Sequence, residues 1–240
     1  MSVKPVIRRV AALHCPLTPY DWAFARDEAQ AIADHWRKRV ERQPRMFNGP
    51  VLMQHACEIV EERGVTVMRA QWFETSYAAF TAWIDFGFPD PRVRNGFSMA
   101  ALRAKDGFVL AEMGAHTANA GRIYFPAGTP DPGGVAQGQV DLAASALREL
   151  TEETGLTPDE LTIDPDWLVV DAGPYNACMK LMRSPLPAIE LAADIERRIA
   201  RQGDPELARM HVVRSAADLV PQRMHGFILA FLEEMLAQPG

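Results

Sequence analysis

Residues 148–156 read Arg-Glu-Leu-Thr-Glu-Glu-Thr-Gly-Leu, and this stretch decides how the chain is interpreted. It places three carboxylates, Glu149, Glu152 and Glu153, within about one helical turn, where positions three and four apart share a face. Three like charges on one face repel one another, so helix stability does not explain their presence. Carboxylate oxygens are the ligands that Mg²⁺ and Mn²⁺ prefer. The stretch therefore predicts a divalent-metal site on a helix, and with it an enzyme.

The flanking sequence predicts a helix from about Leu142 to Thr154. Asp141 is a suitable N-cap, and Gly155 is a suitable stop because glycine adopts a left-handed backbone at little cost. The glutamates lie near the negative end of the helix dipole, where a carboxylate is unfavourable unless a cation offsets it. The opposite, apolar side is expected to pack on a sheet and consists of Ala143, Ala146, Leu147 and Leu150.

The composition is that of a globular protein. The 240 residues, 48% of them hydrophobic, fit one large domain or one domain with an extension. No apolar run approaches the roughly 18–20 residues of a membrane span, and the start has no secretory h-region, so we expect a cytoplasmic protein. The net charge of −6 argues against nucleic-acid binding. The three cysteines, Cys15, Cys57 and Cys178, are too dispersed to predict a disulfide framework or a metal pair.

Hydrophobic periodicity and turn residues predict the order of the elements. Before a Pro- and Gly-rich connection at residues 87–96 we expect, in order, strand 6–13, helix 20–42, strands 51–60 and 65–73, and helix 77–84. After it we expect strands 97–103, 108–112 and 123–125, the carboxylate helix, strands 167–171 and 179–184, helix 189–202, strand 211–214 and helix 224–236. The connection is the predicted boundary between an N-terminal α+β extension, residues 1–95, and a second domain, residues 96–240.

Two stretches, Phe125-Pro126-Ala127-Gly128 and residues 148–156, resemble the Nudix hydrolase family. The family's box runs Gly, five residues, Glu, seven residues, then Arg-Glu-apolar-any-Glu-Glu-any-Gly-apolar. Residues 148–156 match its second half at every specified position, and Phe125 to Gly128 resembles the family's usual Phe-Pro-Gly-Gly. The resemblance covers the chain from about Gly96 onward and implies an α/β fold, a Nudix-type α/β/α sandwich with a mixed sheet.

The first half of the box departs from the family pattern. Counting back from Arg148, the family's first Glu falls on Val140, whereas counting forward from Gly128 leaves the loop six residues too long. We prefer the second interpretation, with an insertion within residues 129–140. Asp141 is then a candidate for the residue that steadies Arg148, and this assignment stays open.

The resemblance implies that the three box glutamates hold Mg²⁺ or Mn²⁺, which bridges a diphosphate while water attacks phosphorus. Arg148 is expected to orient the carboxylates, and Glu149 or another acid to act as the general base. The family often adds one acid from a loop near its C-terminal part. Glu206 is the preferred candidate for that further metal ligand, ahead of Asp204.

Four residues are expected to contact the substrate. The backbone at Ala127 and Gly128 follows from the resemblance, and the carbonyl of Ala127 is also a candidate metal ligand. His116 lies in a polar stretch before the box and is a candidate phosphate contact, although a plain surface loop is the alternative. Tyr175 follows a Gly-Pro turn, and its ring is a candidate for stacking on a base.

The predicted function is metal-dependent hydrolysis of the diphosphate bond in a nucleoside diphosphate linked to another moiety, such as a UDP-sugar or ADP-ribose. A coenzyme A or dinucleotide diphosphatase, and a non-catalytic nucleotide-binding regulatory domain, stay open as alternatives. The predicted partner is a small nucleotide substrate, with no nucleic acid and no membrane, and a homodimer is left open.

Overall fold

The computed structural model describes residues 4–117, 119–203 and 205–238. Its strands are β1 (Val6–Val10), β2 (Ala12–His14), β3 (Pro50–Glu62), β4 (Val65–Ser76), β5 (Asn95–Ala104), β6 (Gly107–Met113), β7 (Ile123–Tyr124), β8 (Val135–Ala136), β9 (Gln139–Val140), β10 (Thr162–Ile163), β11 (Trp167–Ala172), β12 (Tyr175–Arg183) and β13 (Leu207–Val213). Its helices are α1 (Ala23–Asp27), α2 (Ala29–Arg42), α3 (Tyr77–Asp85), α4 (Leu142–Thr154), α5 (Ala188–Ile199) and α6 (Gly226–Ala237).

The chain divides into two compact units that alternate along the sequence. The larger unit comprises the chain up to Ala12, Phe97–Gly128, and the chain from Leu142 onward, and the smaller comprises Leu13–Gly96 and Thr129–Asp141. A change of unit within β5 falls next to the predicted boundary at residue 95. Two further segments do not follow this boundary: the chain up to Ala12 belongs to the larger unit, and Thr129–Asp141 belongs to the smaller unit. Composition does not reveal these assignments, because strands that are far apart in the sequence pair only in the folded chain. The assignment of residues 1–95 and 96–240 as functional domains stays a prediction.

The larger unit is built on a mixed sheet in the order β1-β11-β12-β5-β6-β13, with β10 beside β12 and β7 beside β6. Helix α5 packs against β6 and β13, α6 packs against β11, and α4 packs against α5 and β12. The central strand β5 is almost wholly buried, as expected for a strand covered on both faces. This arrangement confirms the predicted α/β fold class.

The smaller unit holds a three-stranded sheet in the order β2-β4-β3, dominated by the long antiparallel hairpin of β3 and β4. Its core is aromatic: Trp22 lies 5.6 Å from Phe73 and 6.5 Å from Trp83 between ring centroids. The segment expected to be an insertion folds in this unit as a 3₁₀ turn at Pro132–Gly134 followed by the β8-β9 hairpin.

Several predicted details differ from the structure. The predicted helix 20–42 is interrupted at Glu28, which caps α2 after α1 has ended. The predicted strand 6–13 is divided into β1 and β2, which belong to different sheets. Ala143 was expected on the buried side of α4 but is exposed, because Leu142 and Ser145 take that side of the first turn. No helix within the described ranges is long and apolar enough to span a membrane.

Candidate active site

The carboxylate helix α4 begins at Leu142 and ends at Thr154, as the sequence predicts. Ala146 and Leu150 are fully buried in the core of the larger unit, and Leu147 packs at its edge. Gly155 follows with φ of +70°, the left-handed conformation that ends the helix. Burial of one helical side thus fixes the rotation of α4 and with it the directions of the glutamates.

The segment before the insertion is anchored at two points. Phe125 is fully buried, with its ring 6.0 Å from that of Phe108 and 5.6 Å from that of Phe231. The carbonyl of Pro126 then accepts a hydrogen bond of 3.0 Å from the backbone N–H of Ala100 on β5. These contacts hold the following Ala127 and Gly128 against α4.

Gly128 lies directly beneath the carboxylate of Glu149. A Cβ atom at this position would stand 2.2 Å from Oε1 and 2.5 Å from Cδ of Glu149. Only glycine permits so close an approach of the loop backbone to that carboxylate. The structure thus brings Gly128, predicted as a substrate contact, together with Glu149, predicted as a metal ligand.

Glu153 is the most buried of the three box glutamates, with 8% of its surface exposed. Burial raises the pKa of Glu153 to about 9, the charges of Glu149 and Glu206 add to the increase, and a hydrogen bond from the backbone of Ala127 opposes it. Its Oε2 atom has no hydrogen-bond partner among the described residues. A carboxylate in this position is costly when ionised unless a cation compensates its charge.

The three box glutamates are therefore not equivalent. Glu153 is buried, Glu149 keeps 14% of its side chain exposed, and Glu152 is exposed to solvent. Burial raises the pKa of Glu149, while the neighbouring Arg148 opposes that increase. The helical wheel predicted one acidic face, but the three carboxylates on it differ in exposure, from the buried Glu153 to the solvent-exposed Glu152.

Arg148 contacts the carboxylate that it was expected to orient. Its Nη2 atom donates to Oε1 of Glu149 at 3.1 Å, and 37% of the Arg148 side chain is exposed. The hydrogen bond holds Oε1, the same oxygen of Glu149 that lies nearest to Gly128. The proposed support of Arg148 by Asp141 stays a prediction.

Glu206 joins the site from a distant part of the chain. Strand β13 pairs with β6 so that Leu207 lies opposite Met113, and the N–H of Gly114 donates to the Glu206 carbonyl at 2.7 Å. The Glu206 side chain is close enough for its charge to raise the pKa values of both Glu149 and Glu153. The structure thus places this residue with the box glutamates, whereas Asp204 lies outside the described residues.

Tyr124 lies beside the carboxylates and was not identified from the sequence. It is 7% exposed, and burial raises its pKa, as do the charges of Glu153, Glu206 and Glu149. Its hydroxyl oxygen accepts a hydrogen bond of 3.2 Å from the side-chain amide of Asn119. The only signal in the sequence for a role of Tyr124 in the site was its position two residues before Pro126. A short buried strand accounts for a tyrosine at this position equally well.

The other two predicted substrate contacts lie in different surroundings. His116 is exposed, and its ring passes close to Gly114, the residue that binds the Glu206 backbone. Tyr175 begins β12 rather than lying in a loop, and its ring stands 5.6 Å from Phe227 and 6.2 Å from His225. His116 is thus brought to the edge of the carboxylate site, and Tyr175 belongs to an aromatic group at the start of α6.

The donor set fits a divalent cation. Glu149, Glu153 and Glu206 supply carboxylate oxygens, and the Oε2 atom of Glu153 has no protein partner in the described residues. The side chains are not closed into a ready-made cluster: within the described ranges, no three His, Cys, Asp or Glu groups lie together as a metal-binding set. A cation would offset the repulsion among these like-charged groups, and Glu152 is the box glutamate that is exposed to solvent.

A family model described as the NUDIX domain matches residues 92–182 of the chain. The match includes the anchored loop at Phe125 to Gly128 and the whole of α4. The chain therefore contains a Nudix domain, and this domain supports a hydrolase that acts on phosphorus-containing anhydrides. Members of this family generally use divalent metal ions. The predicted family, fold class and class of enzyme are confirmed.

Solved structures with a similar fold are distant in sequence. A putative Nudix hydrolase, Tm1382, is 9% identical, with 78% of this chain and 98% of that chain covered and a TM-score of 0.46. The Nudix hydrolase RenU from M. smegmatis is 14% identical, with 58% and 81% covered and a TM-score of 0.37. A bifunctional NMN adenylyltransferase/ADP ribose pyrophosphatase from Francisella tularensis is 15% identical, with 67% and 45% covered and a TM-score of 0.41. No curated protein matches the chain.

Proposed function

We propose that this protein is a Mg²⁺- or Mn²⁺-dependent diphosphatase that cleaves a nucleoside diphosphate linked to another group, such as a nucleotide sugar or ADP-ribose. One observation carries the proposal. Glu153 is a buried carboxylate with an unpartnered oxygen in the described structure, and two further carboxylates, Glu149 and Glu206, raise its pKa. Such a group of acids is unfavourable by itself and becomes favourable around a divalent cation.

In this proposal Glu149, Glu152, Glu153 and Glu206 hold the cation. When bound, the cation neutralises phosphate charge and promotes attack of water on phosphorus. Two of these carboxylates are oriented by hydrogen bonds: Arg148 donates to Glu149, and the N–H of Ala127 donates to Glu153.

The loop at Ala127 and Gly128 controls access to the carboxylates. Because Gly128 has no side chain, the Glu149 carboxylate lies against the loop backbone, and this is where the proposal places the diphosphate. Glu149 is the proposed general base, because its carboxylate lies beside the loop that borders the proposed diphosphate site. His116, at the edge of this site, is the proposed phosphate contact.

The proposed partner is a small nucleotide, with neither nucleic acid nor a membrane involved, consistent with the net charge of −6. The cytoplasmic location stays a prediction. The homodimer also stays open.

A substrate panel tests the proposal. Nucleoside diphosphate sugars, ADP-ribose, dinucleoside polyphosphates and coenzyme A are incubated with Mg²⁺ or Mn²⁺, and release of nucleoside monophosphate is measured. Glu152→Gln and Glu153→Gln are expected to abolish metal-dependent release from the best substrate. Glu233→Gln, the same change at an exposed position of α6, is the matched control and should retain full activity.

Undiminished activity in both site variants would show that the metal assignment is wrong. Tight nucleotide binding by a wild-type protein that hydrolyses nothing in the panel would favour the regulatory alternative instead.

A further inference from the structure

The C-terminal turn of α4 carries two of the proposed metal ligands, Glu152 and Glu153, but α4 has no basic residue in its last turn. The carbonyls at this end have no partners within the helix, and the helix dipole is unfavourable for the carboxylates. A basic side chain from outside α4 would stabilise this turn. The structure shows that α5 supplies it.

Arg198 on α5 makes the central contacts. Its Nη1 atom donates to the carbonyl of Gly155 at 2.7 Å and to Oε2 of Glu160 at 3.0 Å. Its Nη2 atom donates to Oε1 of Glu160 at 2.5 Å. The side chain of Arg198 also packs across Gly155, where a Cβ would lie 3.2 Å from that of Arg198. One side chain thus joins α5 to the residue that ends α4.

Two further contacts complete the connection. Glu160 accepts hydrogen bonds from the N–H and hydroxyl of Thr157 at 2.7 and 3.1 Å, which fixes the loop that follows Gly155. Gln202, four residues after Arg198, donates to the carbonyl of Glu152 at 3.0 Å. Arg198 lowers the pKa of Glu160 to about 2, so this ion pair persists over the whole neutral range.

We propose that Arg198, together with Glu160, is a positioning residue that holds the last turn of α4 so that Glu152 and Glu153 face one divalent cation. This inference rests on the proposed function, because it assigns Arg198 a role toward the same metal. Arg198 does not touch the metal or substrate. It acts through the backbone of Gly155, and its influence resembles that of the outer groups that orient metal ligands in other sites.

The expected sign of the effect separates positioning from electrostatics. If charge alone matters, removal of the positive charge of Arg198 near the proposed metal site should tighten metal binding. Loss of positioning should instead weaken it, by about 10-fold or more, as is typical for groups that orient ligands. A weaker affinity in a variant that has lost positive charge therefore cannot come from simple repulsion.

The experiment measures Mn²⁺ binding in the absence of substrate, from the electron paramagnetic resonance signal of free Mn²⁺. Arg198→Met is compared with Arg197→Met, which removes the same charge one position away. Arg197 is 64% exposed and pairs with Asp194. We expect Arg198→Met to bind Mn²⁺ about 10-fold more weakly than wild type. Arg197→Met should stay within about twofold of wild type, because exposed charges are screened.

Circular dichroism establishes that each variant is folded under the assay conditions, so that a purely structural loss is separated from a change in affinity. Folded Arg198→Met with wild-type or tighter affinity would overturn the inference. If Arg198→Met does not fold, Arg198→Lys replaces it, because lysine keeps the charge but lacks the guanidinium fork that joins Gly155 to Glu160. Weaker Mn²⁺ binding in Arg198→Lys supports the inference, and unchanged binding overturns it. A wild-type protein that binds no Mn²⁺ overturns the proposed function and the role of Arg198 together.

Discussion

Substitution of Gly128 by alanine tests the geometry of the site most directly. The new Cβ would lie 2.2 Å from Oε1 of Glu149, so the carboxylate must retreat by about 1.2 Å to reach an ordinary contact distance of 3.4 Å. A displacement of about 1 Å at a reacting centre costs roughly 100-fold in rate. We therefore expect kcat/KM to fall by about 100-fold, which corresponds to about 2.7 kcal/mol of transition-state stabilisation.

Stability should change little in this variant. The clashing atoms belong to the end of a flexible side chain, and Gly128 does not have a positive φ, so alanine fits the backbone. A glycine-to-alanine change of this kind alters the free energy of unfolding by about 1 kcal/mol or less.

The assay combines steady-state kinetics on the best substrate of the panel with thermal unfolding. Gly134→Ala is the matched control, because a Cβ there meets no atom within 4 Å. Activity of Gly128→Ala within about threefold of wild type would refute the argument that the Glu149 carboxylate must occupy its observed position. A threefold change corresponds to less than about 1.4 kcal/mol, well below the predicted loss.

Three further predictions concern charge and packing. In the metal-free protein, Glu153 keeps its proton up to about pH 9 when folded and loses it near pH 4.5 when unfolded. The free energy of unfolding should therefore fall as pH rises through this window. Thermal melts of Glu153→Gln should show a weaker dependence on pH. Arg148→Met should weaken Mn²⁺ binding by about 10-fold, because Glu149 loses its orienting hydrogen bond; unchanged affinity in a titration would contradict this. Phe231→Ala should lower the free energy of unfolding by about 3–5 kcal/mol because its ring is fully buried, whereas Ile189→Ser, at a side chain 60% exposed, should change it little in denaturant titrations.

The sequence predicted the local parts of the site well, because local structure depends on near neighbours. The bounds of α4 agree with the pattern of apolar residues and the glycine at 155. The contact of Arg148 with Glu149 agrees with the orienting role that the family resemblance implied for Arg148. Even Glu206 was selected from the sequence, although only by resemblance and without a contact to support it.

Other features depend on residues far apart in the chain. The sequence treated the three box glutamates alike, yet Glu153 is buried and Glu152 is exposed. This difference depends on where the loop at Ala127 crosses α4, since the backbone of that loop donates to Glu153. Tyr124 was missed for the same reason: its neighbours among the carboxylates come from α4 and from the start of β13.

Taken alone, the sequence predicted the Nudix domain and the fold class through the resemblance of residues 125–128 and 148–156 to a known family, and it predicted the bounds of α4 through periodicity and the glycine at 155. Tertiary structure decided which glutamate is buried, that Glu206 joins the group, and that Arg198 holds the end of the helix. Each of these outcomes arises where separate segments meet, and burial and charge at such meeting points are properties of the assembled fold. The buried, unpartnered oxygen of Glu153 is one such property in the described structure.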